Sequence, residues 1–165
     1  MVQTNRGWRG CRWTAAPGET KEMTEVKFYE EIADERLAFA VILSKAQDKY
    51  VFCRHRDRET WEIPGGHRER GEDILETAKR ELYEETGALE FQIAPVCVYS
   101  VTVSDHAGHG EESFGMLFFA EIVRFEEELH SEIEQIALME ELPDGLTYPD
   151  IQPRLMEEAG RRGYL

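Results

Sequence analysis

Cysteine is scarce in this chain: Cys11, Cys53 and Cys97 are the full complement, widely spaced and without a C-x-x-C. Neither a disulfide framework nor a structural zinc site is expected from such a set, and thiols in a reducing cytoplasm are the ordinary reading. Long apolar runs are missing too. The longest is Leu37 to Leu43, far short of the roughly 18 residues that suggest a membrane span. Positive charge is in deficit, with 19 Lys and Arg against 34 Asp and Glu and a net charge of −15. A surface of that sign repels phosphate backbones, which argues against a nucleic-acid polymer as partner. Phosphates can still be bound where divalent cations reverse the local sign.

What is present fits one globular domain. The chain has 165 residues, 41% of them hydrophobic, enough for a single packed core. Residues 1–22 differ from the rest. They hold Trp8, Trp13, three arginines and Pro17-Gly18 without useful periodicity. No apolar stretch follows the positive charges, so a signal peptide is not expected. The expected division is a flexible extension over residues 1–22 and a folded domain over residues 23–165.

Within that domain, Leu37 to Leu43 and Tyr50 to Arg54 read as two strands of a hairpin. Pro64, Gly65 and Gly66 are expected to end any strand. Asp73 to Thr86 is the clearest helix. Asp73 and Glu76 form a capping-box pattern, Gly87 stands at the C′ position, and Leu75, Ala78 and Leu82 make an apolar stripe. Phe91 to Val103, Phe114 to Val123 and Glu132 to Met139 read as further strands. Pro149 to Arg161 reads as a terminal helix with Pro153 in its first turn. Strands and two helices in one domain imply an α/β sandwich, its helices covering a mostly antiparallel or mixed sheet.

Glu81, Glu84 and Glu85 stand at i, i+3 and i+4, so the helix presents three carboxylates on one face. A charge run of this kind is usually a solvated face. If something positive sits among them, a hard divalent cation with oxygen preferences is the natural candidate. Arg80 lies four residues before Glu84 and can orient it.

The surrounding pattern decides between these readings. From Gly66 the sequence runs GHRERGEDILETAKRELYEETGA to Ala88. It resembles the Nudix box, G-x5-E-x7-R-E-U-x-E-E-x-G-U with U aliphatic, and departs only in the small Ala88. Trp61-Glu-Ile-Pro-Gly65 resembles the usual approach to that box. The resemblance implies a Nudix-type α/β/α sandwich with a mixed sheet. It further implies a hydrolase that uses Mg²⁺, or Mn²⁺ in its place, to cleave the diphosphate linkage of a small nucleoside-diphosphate-type substrate. The metal ligands it implies are the Gly65 carbonyl, Glu81, Glu84 and Glu85, with Arg80 and Glu72 orienting them. Arg80, Glu84 and Glu85 are the implied catalytic residues. The general base stays open between Glu84, Glu85 and a glutamate outside the helix. Glu134 is the candidate for an extra acidic ligand, with Glu132 and Glu112 as rivals. Dimers are frequent in the family, so a homodimer is one of the expected states.

Three other readings stay beside this one. An isoprenoid diphosphate isomerase would need a suitably placed cysteine, for which Cys53 is the available residue. A nucleotide sensor that binds without cleaving would tend to have an eroded box, and this box is intact. A hydrolase of nucleotide sugars or dinucleoside polyphosphates would share it. No proline lies between Pro95 and Pro143, so the downstream proline of the ADP-ribose type is absent. A compact pocket with Trp61 or Phe114 as stacking surface points to a nucleoside triphosphate, such as 8-oxo-dGTP cleaved to monophosphate and pyrophosphate. His106 and His109 fall in a glycine-containing segment that reads as an exposed or gating loop.

The extension has no core-forming pattern, so deletion of residues 1–22 is expected to leave activity and melting temperature nearly unchanged. A loss of several degrees in a thermal melt would show that Trp8 or Trp13 docks on the domain.

Overall fold

The structure, a computed structural model, describes residues 23–105, 107–129 and 132–165. The expected extension at residues 1–22, together with His106, lies outside the described residues. Seven strands form one mixed sheet: β1 (Met23–Tyr29), β2 (Leu37–Ala46), β3 (Lys49–His55), β4 (Gly65–His67), β5 (Ala88–Ser104), β6 (Gly110–Phe125) and β7 (Ile133–Met139). The order is β1-β5-β6-β2-β3-β7, with β4 paired to β2. Only β2 and β6 run parallel, and the other pairs are antiparallel.

Two helices, α1 (Ile74–Thr86) and α2 (Gln152–Arg161), cover opposite faces of the sheet. The central strand β2 is buried on both sides, and its side chains alternate between them. Ala40 and Ile42 pack with Ala78 and Leu82 of α1. Phe39, Val41 and Leu43 pack with Leu155, Met156 and Ala159 of α2. This is the expected α/β/α sandwich. Full burial of one such leucine stabilises the fold by roughly 1.5–3 kcal/mol. No helix among the described residues is long and apolar enough to cross a membrane.

The helix α1 forms where its end signals put it. Asp73 accepts from the Leu75 amide at 2.8 Å, and Glu76 accepts from the Asp73 amide at 3.0 Å. Gly87 closes the helix at φ 71°, a backbone state that costs glycine little. The β2–β3 hairpin is also present, tightened around Gln47 and Asp48 at φ 53° and 61°. That pair of left-handed residues matches the twist of a two-residue hairpin turn.

Three features differ from the expectations. Gly65-Gly66-His67 does not end a strand but forms β4, pairing with Val41, Ala40 and Phe39. The glycines permit it: a Cβ on Gly65 would stand 2.6 Å from the Ala40 carbonyl oxygen. Strand β2 therefore pairs with β3 only at the hairpin turn and with β4 farther back. Second, β1 was not among the expected strands, because only Val26 of it is buried and its pattern is mostly polar. Third, α2 begins at Gln152 rather than Pro149, since the amides of Ile151 and Gln152 turn back to the Tyr148 carbonyl.

Candidate active site

The segment before α1 is tied to the helix by Arg80. Its guanidinium donates to both oxygens of Glu72, from Nε at 2.6 Å and Nη2 at 3.0 Å. Nη2 also reaches the His67 carbonyl at 2.9 Å, and Nη1 reaches Glu81 at 2.5 Å and Glu84 at 3.4 Å. A forked cation of this kind fixes geometry as well as charge. Hydrogen bonding from Arg80 holds the Glu72 carboxyl down at about 2. Glu72 further accepts from the Glu69 amide and the Thr77 hydroxyl, so the loop leading into the helix is pinned at its tip.

Glu81 and Glu85 are each only 6% exposed. The Glu81 carboxylate lies against Gly66, where an added Cβ would come within 2.3 Å of its Cδ. Burial, reinforced by the neighbouring Glu85 charge, pushes the Glu81 carboxyl up to about 8 despite Arg80. Glu85 accepts from the Gly65 amide at 2.8 Å, and its other oxygen stands 3.3 Å from Nε2 of His55. Burial raises its carboxyl too, opposed by the His55 contact. Glu84 is the outward member, with its side chain 43% exposed. Glu81 and Glu85 thus lie buried below a more open Glu84, and carboxylate oxygens are the donors Mg²⁺ takes. Two buried carboxylates side by side resist joint ionisation unless a cation joins them, so these residues fit a divalent metal.

Glu134 is not brought to this group. Its carboxylate is held by Arg54 at 3.1 Å, a side chain one residue out of phase with Cys53 and His55 on β3 and therefore on the other face of that strand. Glu112 is remote as well, accepting from Tyr29 and Ser100 at 2.7 Å each. Of Glu132, only its carbonyl, bonded by the Arg56 amide, is placed by a backbone contact. His109 is an exposed loop side chain.

Beside the site, Glu62 and His55 carried no role in the sequence, and Cys53 entered only as the cysteine available to an isomerase. Glu62, 1% exposed, pairs with Arg58 and stands 3.8 Å from His55 Nε2. Cys53 donates weakly to Glu85 at 3.6 Å. Burial lowers the His55 imidazole, but Glu85 and Glu62 outweigh it and the net shift is upward. Alternation along β3 was the available signal, because Val51, Cys53 and His55 share one face.

On the α2 side, a hollow is lined by residues that include Phe39, Ile63, Tyr99, Tyr148 and Gln152. Neither Trp61 nor Phe114 lines it. The Trp61 ring carries the Arg54 guanidinium at 5.2 Å, and Phe114 is buried beneath Arg36. Gln152 is 4% exposed, and its side-chain oxygen has no hydrogen-bond partner. Tyr148 joins the two faces through its hydroxyl, 3.5 Å from Arg58.

Comparison with known proteins follows the same lines. The family model described as the NUDIX domain matches residues 34–139. A Bacillus subtilis protein named for 8-oxo-dGTP diphosphatase activity is 36% identical over 62 residues, a stretch covering 38% of this chain and 41% of that protein. The crystal structure of a Bacillus subtilis pyrophosphohydrolase superposes with a TM-score of 0.70 at 21% identity, covering 87% of this chain and 93% of that one. That of a UDP-X diphosphatase gives 0.62 at 17% identity, over 80% and 64%. At these identities the two structures speak to the fold alone.

The buried carboxylates predict an inverted pH response. The Glu81 carboxyl titrates at about 8 in the fold against 4.5 for an ordinary glutamate. Across that window the fold retains a proton that the unfolded chain has lost, so stability falls as pH rises from about 4.5 through about 8. In EDTA stability should fall over this range by on the order of a few kcal/mol, which a falling melting temperature reports. Glu81→Gln, or added Mg²⁺, should flatten the profile. A flat profile for the EDTA-treated wild type would contradict the placement of Glu81. Gly66→Ala should keep the fold, since the clash meets a side-chain tip, while lowering Mn²⁺ affinity in calorimetry by at least about tenfold.

Proposed function

Since the chain belongs to the NUDIX domain family, we propose that it is a hydrolase that cleaves the diphosphate linkage of a nucleoside triphosphate with Mg²⁺. The products are a nucleoside monophosphate and pyrophosphate. The observation that carries this reading is the pair of buried carboxylates, Glu81 and Glu85, packed against Gly66 and Gly65. Glu81, Glu84, Glu85 and the Gly65 carbonyl would hold the cation. Bound there, it would shield phosphate charge and lower the pKa of a coordinated water.

The protein's own residues do the rest. Arg80 fixes the orientation of Glu81 and, more loosely, of Glu84. Glu84 is the carboxylate open to solvent, and so the one into which the proton of an attacking water can pass. Glu62 and His55 back Glu85 from the interior, which limits its freedom to turn away. The catalytic domain in this reading is residues 23–165.

The hollow beside α2 is the place where a nucleobase would lie. Phe39, Tyr99 and Tyr148 offer apolar and aromatic surface. The unpartnered oxygen of Gln152 offers an acceptor for an N–H on a base edge. An oxidised purine such as 8-oxo-dGTP gains an N–H at N7 that guanine lacks, and it is the substrate proposed. The name of the Bacillus subtilis relative supports the same choice.

EDTA should abolish turnover and Mg²⁺ should restore it. Glu81→Gln, Glu84→Gln and Glu85→Gln should cost at least ~10²-fold in kcat for the strongest ligand. Across a substrate panel, kcat/KM should favour 8-oxo-dGTP, and Gln152→Leu should cut that preference about tenfold, or 1.4 kcal/mol. Full activity in EDTA would overturn the metal reading. A tenfold preference for ADP-ribose, a nucleotide sugar or a dinucleoside polyphosphate would overturn the substrate while leaving the family unchanged.

A further inference from the structure

Behind the carboxylate face, three donor atoms of different chemistry converge. The Cys53 Sγ, the His55 Nε2 and a Glu85 carboxylate oxygen all lie within 4.8 Å of one another. Cys53 is fully buried, and the His55 Nε2 is a buried atom that makes no hydrogen bond of regular geometry.

We propose that Cys53, His55 and Glu85 form a second cation site, one that takes a thiophilic transition ion of the Zn²⁺ class rather than Mg²⁺. The geometry suits it. Cys53 Sγ stands 3.6 Å from one oxygen of Glu85 and His55 Nε2 stands 3.3 Å from the other, so both donors border the same carboxylate. With three protein donors, the fourth position falls to water or to Glu62, whose carboxylate stands 3.8 Å from His55 Nε2.

Donor chemistry sets the selectivity. Mg²⁺ demands oxygen and rejects a thiolate, whereas Zn²⁺ and Co²⁺ accept sulfur, imidazole and carboxylate together. Two strands of evidence in the chain place the ligands: alternation on β3 turns Cys53 and His55 to the same side, and α1 lowers Glu85 onto them. Glu85 is then shared between an oxygen-only face and a sulfur-containing one. Occupation of the inner site draws Glu85 inward, so a thiophilic ion is expected to inhibit the Mg²⁺-dependent reaction.

Co²⁺ titrated into the full-length, metal-stripped protein tests the site directly, because thiolate ligation gives a near-ultraviolet charge-transfer band that oxygen and nitrogen ligands do not. One equivalent of Co²⁺ should produce the band in the wild type and in the Cys11→Ser/Cys97→Ser variant. Cys53→Ser should abolish it, and His55→Gln should weaken Co²⁺ binding at least about tenfold. Absence of the band in the wild type would overturn the site, whether or not any variant folds. Its persistence in Cys53→Ser would overturn it equally. The band reports the Cys53 sulfur, so either failure leaves the proposed Mg²⁺ hydrolysis standing, just as a failure of that hydrolysis leaves the band to be measured.

Discussion

Two carboxylates buried side by side, Glu81 and Glu85, are the constraint on which the rest of this site depends. Their charges repel in a medium that screens poorly, and neither is given up to solvent. The surroundings are arranged to hold them there. Arg80 meets Glu81 from one side, and the Gly65 amide and His55 meet Glu85 from the other. Neither arrangement supplies a full counter-charge to each carboxylate at neutral pH, and so the pair is poised for a cation.

That requirement reaches into the fold. Strand β4 lies so close to β2 that a Cβ on Gly65 would meet the Ala40 carbonyl oxygen at 2.6 Å, and the same strand brings Gly66 under Glu81. The Arg80–Glu72 fork pins the loop that joins β4 to the helix, so the carboxylates and the glycine backbone keep their relative positions. On the opposite face, Ile63 lines the hollow while the adjacent Glu62 joins the buried polar group. One short extended segment therefore serves both sides of the sheet. Tyr148 and Arg58 complete the link between them.

Much of this was legible in the sequence, for reasons that differ by residue. The helix was marked at both ends, by the Asp73–Glu76 box and by Gly87, and its acidic face followed from helical spacing alone. The hairpin followed from two apolar runs around a polar turn. What escaped notice depended on long-range contact. Gly65-Gly66-His67 carries no strand propensity, and its pairing with β2 comes from close approach in space. Glu62 and His55 are polar residues whose burial is decided by the helix farther along the chain, although alternation along β3 did carry a trace of it for His55. Trp61 and Phe114 were natural stacking candidates by size, yet tertiary packing gives their rings to arginines. Glu134 sits on the strand expected for an added ligand, but its carboxylate is engaged by Arg54.

The central claim is that α1 and the glycines of β4 together hold the divalent cations that act on a diphosphate. A crystal structure of the protein with Mn²⁺ and a non-hydrolysable nucleoside triphosphate, with the metal located by anomalous scattering, tests it most directly. The account predicts Mn²⁺ bound by Glu81, Glu84, Glu85 and the Gly65 carbonyl, in contact with the phosphate chain. Manganese bound to the phosphates at a place that touches none of these residues would contradict it.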